Sequence, residues 1–288
     1  MKNLTSPSYI KEYMEKSDFF FKKKLGQNFL KDENIARAIT DSLDISKDEC
    51  VLEVGPGFGS LTQFLVRDAY RVKAVEIDPF AVKVLNEVFE DCENLDIILA
   101  DVLKADLAEI LKDAIDENRN IKAISNLPYY ITSSVILKLL RFTPHFENIV
   151  VMIQKEVSER LNAPAGSKNY SSYTVLINYY ADTEKLFDVS HNVFVPAPKV
   201  DSSVMRIVPL KEPRVKVASE EIFFRTVKAG FAMRRKTLLN NISAAFEMDK
   251  EKAGECITAA GLKPEIRAEK LTIEEFAALS DSVHLFLQ

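Results

Sequence analysis

A dense cluster of glycines follows a short apolar segment in the first quarter of the chain. Only 8 of the 288 residues are glycine, and three of them, Gly55, Gly57 and Gly59, lie within five positions. Glycine lets the backbone turn tightly and lets a ligand lie against the main chain. A glycine-rich connection without a ligand is the plain alternative, but in a chain so poor in glycine the cluster favours a binding site for a nucleotide-like cofactor.

The spacing of these glycines separates two kinds of cofactor. A dinucleotide site has the pattern G-x-G-x-x-G, and the position of its third glycine is occupied by Ser60 here. Glu53, two residues before Gly55, completes the pattern E-x-G-x-G-x-G. This pattern resembles the first motif of methyltransferases that use S-adenosylmethionine (SAM). We therefore expect SAM as the cofactor, with NAD as the alternative.

Two further acids follow the next apolar segments. Glu76 ends the second segment, where a carboxylate can accept hydrogen bonds from both ribose hydroxyls of NAD or SAM. Asp101 follows the third, where a carboxylate can accept from an adenine amino group. Each acid alone is more often a solvated loop residue. Because ligands of open α/β sheets bind at the carboxyl ends of the strands, Glu53, Glu76 and Asp101 together predict one site.

An Asn-Leu-Pro-Tyr-Tyr segment, residues 126–130, follows the fourth apolar run. It resembles the (N/D)-P-P-(Y/F) motif of amino-directed methyltransferases, in a variant typical of adenine-N6 enzymes that act on ribosomal RNA. An Asn-x-Pro turn with no chemical role is the alternative.

The residue types suit methylation of an amino group. An adenine amino nitrogen is a poor nucleophile, and two acceptors aimed at its N–H groups localise its lone pair. The side-chain oxygen of Asn126 and the carbonyl of Leu127 can be these acceptors, and Pro128 restricts Leu127 to an extended conformation. Tyr129 can stack on the base. Direct attack on a methyl sulfonium needs no metal and no covalent intermediate.

Five segments occur in a fixed order and carry a close resemblance. They are residues 25–30, 53–59, 126–130, 192–202 and 231–240. Together they resemble the ribosomal RNA small-subunit adenine dimethyltransferase family, over roughly residues 20–245. The resemblance implies a Rossmann-like α/β domain with a seven-stranded sheet, followed by a small helical domain. It also implies SAM-dependent N6,N6-dimethylation of two adjacent adenines in a hairpin near the 3′ end of 16S rRNA.

The resemblance also assigns roles to individual positions. The residues that it places at SAM are Gln27, Asn28, Leu30, Gly55, Gly57, Glu76, Asp101 and Asn126. The residues that it places at the target base are Asn126, Leu127, Tyr129 and Phe194. Phe194 matches an aromatic that helps to clamp the flipped adenine opposite Tyr129, and stacking there offsets part of the cost of unstacking the base. Without its flanking residues, Phe194 would be a core aromatic.

The hydrophobic pattern predicts the elements that position these residues. Short runs rich in Val and Ile, at residues 51–54, 72–75, 96–99, 121–125 and 148–153, predict buried parallel strands. Helical spacing between them indicates a doubly wound α/β sheet. Another strand is predicted at 203–208, and helical periodicity covers 220–246, 249–260 and 272–287. We expect a catalytic domain at 1–208 and a helical RNA-recognition domain at 209–288.

The charge of the chain is acidic overall but uneven. The formal net charge of −5 argues mildly against a nucleic-acid partner. Residues 19–31 and 222–246, however, contain basic side chains and no acid. We expect contacts with RNA phosphates from Lys22, Lys23, Lys24, Arg234, Arg235 and Lys236. Solvated faces are the alternative for both basic stretches.

Composition excludes several other classes. Three scattered cysteines without C-x-x-C spacing and three histidines argue against a disulfide scaffold and a metal centre. No apolar run approaches the ~20 residues that span a bilayer, and residues 1–16 do not resemble a secretory signal. We expect a cytoplasmic monomer with no metal, no membrane association and 16S rRNA in an assembling small subunit as its partner.

The sequence alone does not exclude three other functions. One is a large-subunit rRNA adenine methyltransferase of the macrolide-resistance type, although residues 126–130 and 234–237 fit the small-subunit enzymes better. Another is an NAD oxidoreductase, which the glycine spacing disfavours. The third is a non-catalytic ribosome-assembly factor, which the intact Asn126 and Tyr129 disfavour.

Overall fold

A sheet of seven strands organises the first part of the chain in the computed structural model, which describes residues 3–16, 28–126, 128, 131–142 and 146–288. The strands are β2 (Cys50–Val54), β3 (Arg71–Glu76), β4 (Leu95–Leu99), β5 (Ile121–Asn126), β6 (Phe146–Gln154), β7 (Ala181–Val189) and β9 (Ser202–Pro209). Their order is β4-β3-β2-β5-β6-β9-β7. A separate pair joins β1 (Phe29–Leu30) to β8 (Phe194–Val195) in antiparallel fashion.

The five consecutive strands β4, β3, β2, β5 and β6 run parallel, so their carboxyl ends meet at one edge. Val54, near the end of β2, is in register with Val75 on one side and with Ser125 on the other. The chain leaves β2 toward β3 and β4, and later returns to add β5 on the opposite side of β2. This reversal of strand order opens a crevice beside the end of β2, where open α/β sheets bind their ligands.

Apolar residues on the strands and the flanking helices form the core of this sheet. The described helices in the first 161 residues are α1 (Pro7–Lys16), α2 (Glu33–Asp41), α3 (Thr62–Asp68), α4 (Pro79–Val88), α5 (Leu107–Ile110), α6 (Lys112–Asp116), α7 (Thr132–Arg141) and α8 (Lys155–Leu161). Leu65 of α3 is fully buried against Val51 and Val72 of the sheet. Asp78 caps α4 by accepting from the N–H of Phe80, and Pro79 suits the first helical turn.

The Rossmann-like seven-stranded sheet expected from the resemblance is confirmed. The five predicted parallel strands and the predicted strand at 203–208 are all present, each extended by one to three residues. The strand β7 has no counterpart among the apolar runs. It is a sheet-edge strand with several exposed polar positions, including Glu184 and Lys185, so the sequence there does not show a continuous apolar stretch.

A second compact unit consists of helices and is built from two stretches of chain. The first unit contains Met1–Ser158 and Thr183–Pro209, and the second contains Glu159–Asp182 and Leu210–Gln288. The helices of the second unit are α9 (Ser172–Tyr180), α10 (Glu220–Ala232), α11 (Leu238–Phe246), α12 (Lys250–Ala259) and α13 (Ile273–Leu287). Its core includes the fully buried Phe223 and Phe276.

Residues 159–182 belong to the helical unit, whereas the division at residue 209 assigned them to the catalytic domain. The ring of Tyr179 in α9 packs 4.7 Å from that of Phe223 in α10. The N–H of Leu210 donates to the carbonyl of Tyr180 at 2.7 Å, and Arg214 donates to the carbonyl of Asn178. These contacts join segments that are distant in sequence, which a single cut in the chain does not capture.

The helical periodicity over residues 220–246 predicted one continuous stretch, but the structure has two helices there. Residues 233–237 interrupt it between α10 and α11. Asn241 donates from its side chain to the carbonyl of Gly230, so it satisfies a backbone acceptor at the end of α10. The N–H groups of Leu238 and Leu239 donate to Ile266 and Pro264. Tertiary partners therefore take over the hydrogen bonds that a continuous helix would make.

Neither a membrane-spanning helix nor a metal-binding cluster is found among the described residues. No helix within them has the length and apolar character needed to cross a membrane. No group of three or more His, Cys, Asp and Glu side chains in the same ranges is arranged to hold a metal ion.

Candidate active site

A cavity of about 300 Å³ lies at the carboxyl ends of β2, β3, β4 and β5, in the crevice beside the end of β2. The predicted site residues that line it are Asn28, Leu30, Gly55, Gly57, Glu76, Asp101, Asn126 and Phe194. Glu53 also lines it. These residues come from six separate stretches of chain, which the parallel strands of the main sheet and the antiparallel β1–β8 pair bring together. The predicted Gln27, Leu127 and Tyr129 lie outside the described residues.

The glycine turn shapes one wall of this cavity. Gly57 has a φ of +57°, and a Cβ built on it would lie 3.3 Å from the ring of Phe29. Its N–H donates to Oε2 of Glu76 at 3.0 Å. A side chain at this position would meet both backbone strain and the Phe29 ring, so the turn requires glycine here.

Three backbone N–H groups hold the Glu76 carboxylate at the end of β3. Besides Gly57, the N–H of Ile77 and the N–H of Asp78 both donate to Oε1, at 2.8 and 2.9 Å. Burial raises the pKa of Glu76, while these donors act in the opposite direction by stabilising the ionised form. The carboxylate is therefore held in one orientation at the cavity wall, with acceptor capacity remaining for a ligand hydroxyl.

Glu53 is the most deeply buried acid of the cavity. Only 1% of its surface is exposed, and Oε2 accepts from the hydroxyl of Thr62 at 2.7 Å. Burial raises the pKa of Glu53 to about 8, and the nearby charge of Glu76 acts in the same direction. The sequence motif identified this acid, but its pKa depends on burial that the motif does not show.

Asp101 lies at the cavity rim beyond the end of β4. Its Oδ1 accepts from the N–H of Leu103 at 3.0 Å, and its side chain is about one-third exposed. Two apolar side chains of the cavity lining stand out at this rim, since Ile77 is 49% exposed and Leu103 is 36% exposed. Neither residue was among the site residues predicted from the sequence. Their signal was present in the chain, because each is an apolar residue one or two positions after a strand-end acid.

Asn126 and Phe194 lie at the cavity from two different sheets. Asn126 is the last residue of β5, and its carbonyl lies 4.0 Å from a Cβ built on Gly55. Phe194 is in register with Leu30 in the β1–β8 pair, and the N–H of Lys31 donates to the carbonyl of Val193. The predicted base-binding aromatic is thus tied by backbone pairing to a predicted cofactor residue.

A histidine–aspartate pair holds the segment that precedes Phe194. The Nδ1 of His191 lies 2.7 Å from Oδ1 of Asp201, and the backbone N–H of His191 donates to the same oxygen. These hydrogen bonds lower the pKa of Asp201. Asp201 belongs to one of the five segments that carried the resemblance, and its observed role is to close the 191–201 loop on itself.

The charged residues described in the cavity wall are all acidic. Glu53, Glu76 and Asp101 line it, and none of the described lining residues is Lys, Arg or His. Phosphate groups are usually bound by basic side chains or helix N-termini. A cavity with three carboxylic acids suits a cationic ligand with hydroxyl and amino groups better than a diphosphate.

The predicted phosphate-binding residues differ in their surroundings. Arg234 donates to the carbonyl oxygens of Lys168 and Tyr170, at 2.8 and 3.0 Å, and lies 3.9 Å from a carboxylate oxygen of Glu269. Arg235 and Lys236 are exposed and have no ion-pair partner within the described part of the chain. Lys22, Lys23 and Lys24 lie outside the described residues.

The chain is similar to proteins of known class along almost its whole length. Residues 18–284 match the family model described as ribosomal RNA adenine dimethylase. A protein of Bacillus mycoides named ribosomal RNA small subunit methyltransferase A is 42% identical over 288 residues, which cover 99% of each chain. A relative from Alkaliphilus metalliredigens with the same name is also 42% identical, covering 98% of this chain and 99% of the relative.

Two solved structures resemble the fold over most of its length. A dimethyladenosine transferase from Plasmodium falciparum has a TM-score of 0.72 and 25% identity, covering 87% of this chain and 95% of that one. The 23S rRNA methyltransferase ErmE has a TM-score of 0.62 and 25% identity, covering 89% of this chain and 100% of that one.

Proposed function

The chain belongs to the ribosomal RNA adenine dimethylase family, and from this premise we propose that it is the member that dimethylates small-subunit rRNA. The reaction is SAM-dependent N6,N6-dimethylation of two adjacent adenines in a hairpin near the 3′ end of 16S rRNA. The name shared by its 42% identical relatives supports this substrate.

One observation carries the proposal, namely the cavity at the carboxyl edge of the sheet. It combines a glycine turn, three carboxylic acids without a basic side chain among its described lining residues, and Asn126 with Phe194. The chemistry of these groups fits SAM, which is a cation with ribose hydroxyls and an adenine amino group. The glycine spacing, with Ser60 at the third glycine position of the dinucleotide pattern, disfavours NAD.

The residues that hold SAM follow from this fit. Glu76 accepts hydrogen bonds from the ribose hydroxyls, and Asp101 accepts from the adenine amino group. Gly55 and Gly57 allow close approach of the backbone, and the resemblance adds Gln27, Asn28 and Leu30 as further contacts. When bound, SAM supplies an electrophilic methyl group on a positively charged sulfur.

The target adenine enters beside Asn126. The Asn126 side-chain oxygen and the Leu127 carbonyl accept from the amino group of the base, which localises its lone pair toward the methyl donor. Tyr129 and Phe194 stack on the flipped base and hold it in line. Positioning of the two reactants supplies much of the rate, because it replaces a bimolecular encounter.

The large-subunit alternative is less well supported. The similarity to ErmE is 25% in identity with a TM-score of 0.62, whereas the small-subunit relatives reach 42% identity over nearly the full chain. The dimethyladenosine transferase structure is also the better structural match, at a TM-score of 0.72.

The helical unit and the two basic stretches recognise the RNA in this proposal. Lys22, Lys23 and Lys24 contribute from the N-terminal basic stretch, and Arg235 and Lys236 contribute from the helical unit. Arg234 acts chiefly by holding the 168–170 segment, since its guanidinium already donates to two carbonyl oxygens there. The enzyme works as a cytoplasmic monomer on an assembling small subunit, without a membrane.

Primer extension on small-subunit RNA tests the function directly, because dimethylated adenines stop reverse transcriptase. In cells that lack the gene, a plasmid-borne wild-type copy is expected to restore both stops, and Asn126→Ala is expected to restore neither. Purified Asn126→Ala is expected to bind SAM with only modest weakening, which excludes a folding defect. Full restoration of the stops by this variant would contradict the proposed mechanism, and stops in large-subunit RNA instead would favour the alternative substrate.

A further inference from the structure

Three acids share the cavity, and their surroundings differ in how well they stabilise a negative charge. Glu76 receives three backbone N–H donors. Asp101 is partly exposed to solvent and has the ammonium of Lys104 3.8 Å from its carboxylate. Glu53 has neither solvent nor a basic partner among the described residues, so an ionised Glu53 is the least stable of the three charges.

The elements packed around Glu53 explain this difference. Its neighbours in the sheet register are Ala74 on β3 and Ile124 on β5, both apolar and buried. Thr62, at the start of α3, supplies its hydrogen-bond donor. The charged group that acts on it in the described ranges is Glu76, whose negative charge opposes ionisation of a second acid nearby. Every one of these contacts except that of Thr62 favours the neutral carboxyl.

We propose that Glu53 holds a proton in the free enzyme and releases it to solvent when SAM binds, so that the site distinguishes SAM from S-adenosylhomocysteine by charge. The inference rests on the proposed placement of SAM in this cavity. On binding, the carboxyl O–H bond of Glu53 breaks and the proton goes to bulk water. After methyl transfer the sulfur is neutral, and Glu53 takes a proton back from bulk water.

The physical basis is charge compensation in a poorly solvated cavity. A positive ligand offsets the unfavourable charge on Glu53 and lowers its pKa from the raised value of the free enzyme, about 8. A neutral thioether gives no such compensation. The ionised Glu53 therefore contributes attraction to the substrate form of the cofactor and loses it with the product form, which favours exchange of product for substrate.

Isothermal titration calorimetry at pH 7, in two buffers that differ in ionisation enthalpy, counts the protons exchanged on binding. For the wild-type enzyme we expect release of close to one proton with SAM and markedly less with S-adenosylhomocysteine. In Glu53→Gln we expect this difference in proton count to disappear and the preference for SAM over S-adenosylhomocysteine to fall about tenfold. Titration of the ligand's own amino group is the same in both proteins, so it cancels from the comparison.

A second variant keeps the carboxyl and changes only its partner. Thr62→Val removes the hydroxyl donor, so Glu53 is expected to stay protonated to higher pH, and the pH range in which SAM binding releases its proton should move upward. Glu87→Gln, on the exposed side of α4, is the matched control and should leave all proton counts unchanged.

Two outcomes would overturn the inference. One is an equal proton count for SAM and S-adenosylhomocysteine in the wild-type enzyme, and the other is an undiminished difference in Glu53→Gln. The SAM affinity of Glu76→Gln, which is expected to be weakened, tests the placement of the cofactor separately. If binding depends on Glu76 but the proton count does not depend on Glu53, the proposed function stands and only the proton linkage fails.

Discussion

Glu53 and Glu76 are the same residue type in the same cavity, and their local contacts give them different properties. Both are almost fully buried, at 1% and 3% exposure. Glu76 is held by three N–H donors, whereas the described hydrogen bonding of Glu53 comes from Thr62 alone. At the scale of the residue, burial raises the pKa of both acids, and Glu76 has more hydrogen-bond donors to offset that effect than Glu53 has.

Replacement of Glu76 by glutamine tests its proposed role at the ribose. The amide of Glu76→Gln has one acceptor oxygen and an NH₂ group, so it cannot accept from the three backbone N–H groups and also from the ribose. Hydrogen bonds to charged groups contribute about 1.5–3 kcal/mol, so SAM affinity should fall by roughly 10- to 100-fold. Calorimetry measures the change, and Glu87→Gln should bind SAM normally. An unchanged affinity in Glu76→Gln would exclude this carboxylate from the cofactor site.

The raised pKa of Glu53 predicts how the stability of the free enzyme depends on pH. Between the ordinary carboxyl pKa of 4.5 and the folded-state value of about 8, the folded protein binds more protons than the unfolded chain. The contribution of the neutral Glu53 to stability is therefore complete below pH 4.5 and is lost as pH rises toward 8. Thermal melts of Glu53→Gln should show a smaller decrease in midpoint between pH 5 and 8 than wild type.

The exposed Glu90 provides a control for that measurement. Glu90→Gln removes a carboxylate that lies in solvent after folding, so it should leave the pH dependence of the melting midpoint close to wild type. If Glu53→Gln and Glu90→Gln give the same pH dependence, Glu53 is ionised in the folded protein at neutral pH.

At the scale of the elements, strand ends and the glycine turn position the chemistry. The parallel strands place Glu76 and Asn126 at the same edge, on opposite sides of the strand that leads into the turn. The apolar runs predicted β2, β3, β5 and β6 because most of their residues are buried, whereas β4 was predicted from its apolar residues although it is a half-buried edge strand. The edge strand β7 was not predicted because its exposed polar residues interrupt the apolar pattern of a strand. The break at residues 233–237 was not predicted because hydrogen bonds to residues distant in sequence end the helix there.

Substitution of Gly57 tests the turn as an element. Gly57→Ala puts a Cβ at a φ of +57°, 3.3 Å from Phe29, so we expect a loss of about 1–2 kcal/mol in stability and weaker SAM binding. Gly254→Ala is the matched control, since Gly254 lies inside α12 and a Cβ there would first meet Leu239 at 3.8 Å. That change should be neutral or stabilising, because alanine is the better helix former. Denaturant unfolding compares the two, and equal losses would argue against a constrained turn.

At the scale of the whole molecule, the acidic net charge and the proposed RNA substrate coexist through segregation of charge. Three acids line the cavity, whereas residues 222–246 contain basic side chains and no acid. Net charge alone therefore misleads about partners. Domain boundaries likewise cannot be read from one position in the chain. The helical unit is formed by two stretches, and the hydrogen bond from Leu210 to Tyr180 joins residues on opposite sides of a boundary at residue 209.

The basic segment near residue 235 predicts two separable effects. Arg235→Ala with Lys236→Ala should leave the melting midpoint near wild type but weaken RNA binding. The slope of log K against log salt should also become shallower, by about 0.7–0.9 for each phosphate that the variant no longer neutralises. Arg234→Ala should instead lower the melting midpoint, because its guanidinium holds the carbonyls of Lys168 and Tyr170. RNA titrations at several salt concentrations and thermal melts separate the two effects.

A charge-matched control completes that experiment. Lys250→Ala with Lys252→Ala removes two exposed basic residues from the start of α12, outside the acid-free segment. The salt slope of this double variant should match wild type. A reduction equal to that of the Arg235 and Lys236 variant would indicate a general effect of net charge, not a local interaction with phosphate.

The sequence by itself determined the class of the fold, the family, and the glycine turn and the three acids of the cavity. Strand patterns, glycine spacing and strand-end acids are local signals, and each depends on residues a few positions apart. Only the tertiary structure decided the burial of Glu53, the exclusion of basic side chains from the described cavity wall, the engagement of Arg234 and the membership of residues 159–182 in the helical unit. Burial and charge compensation depend on groups that are distant in sequence, because the local dielectric and the hydrogen-bond partners of a side chain are set by everything that packs around it.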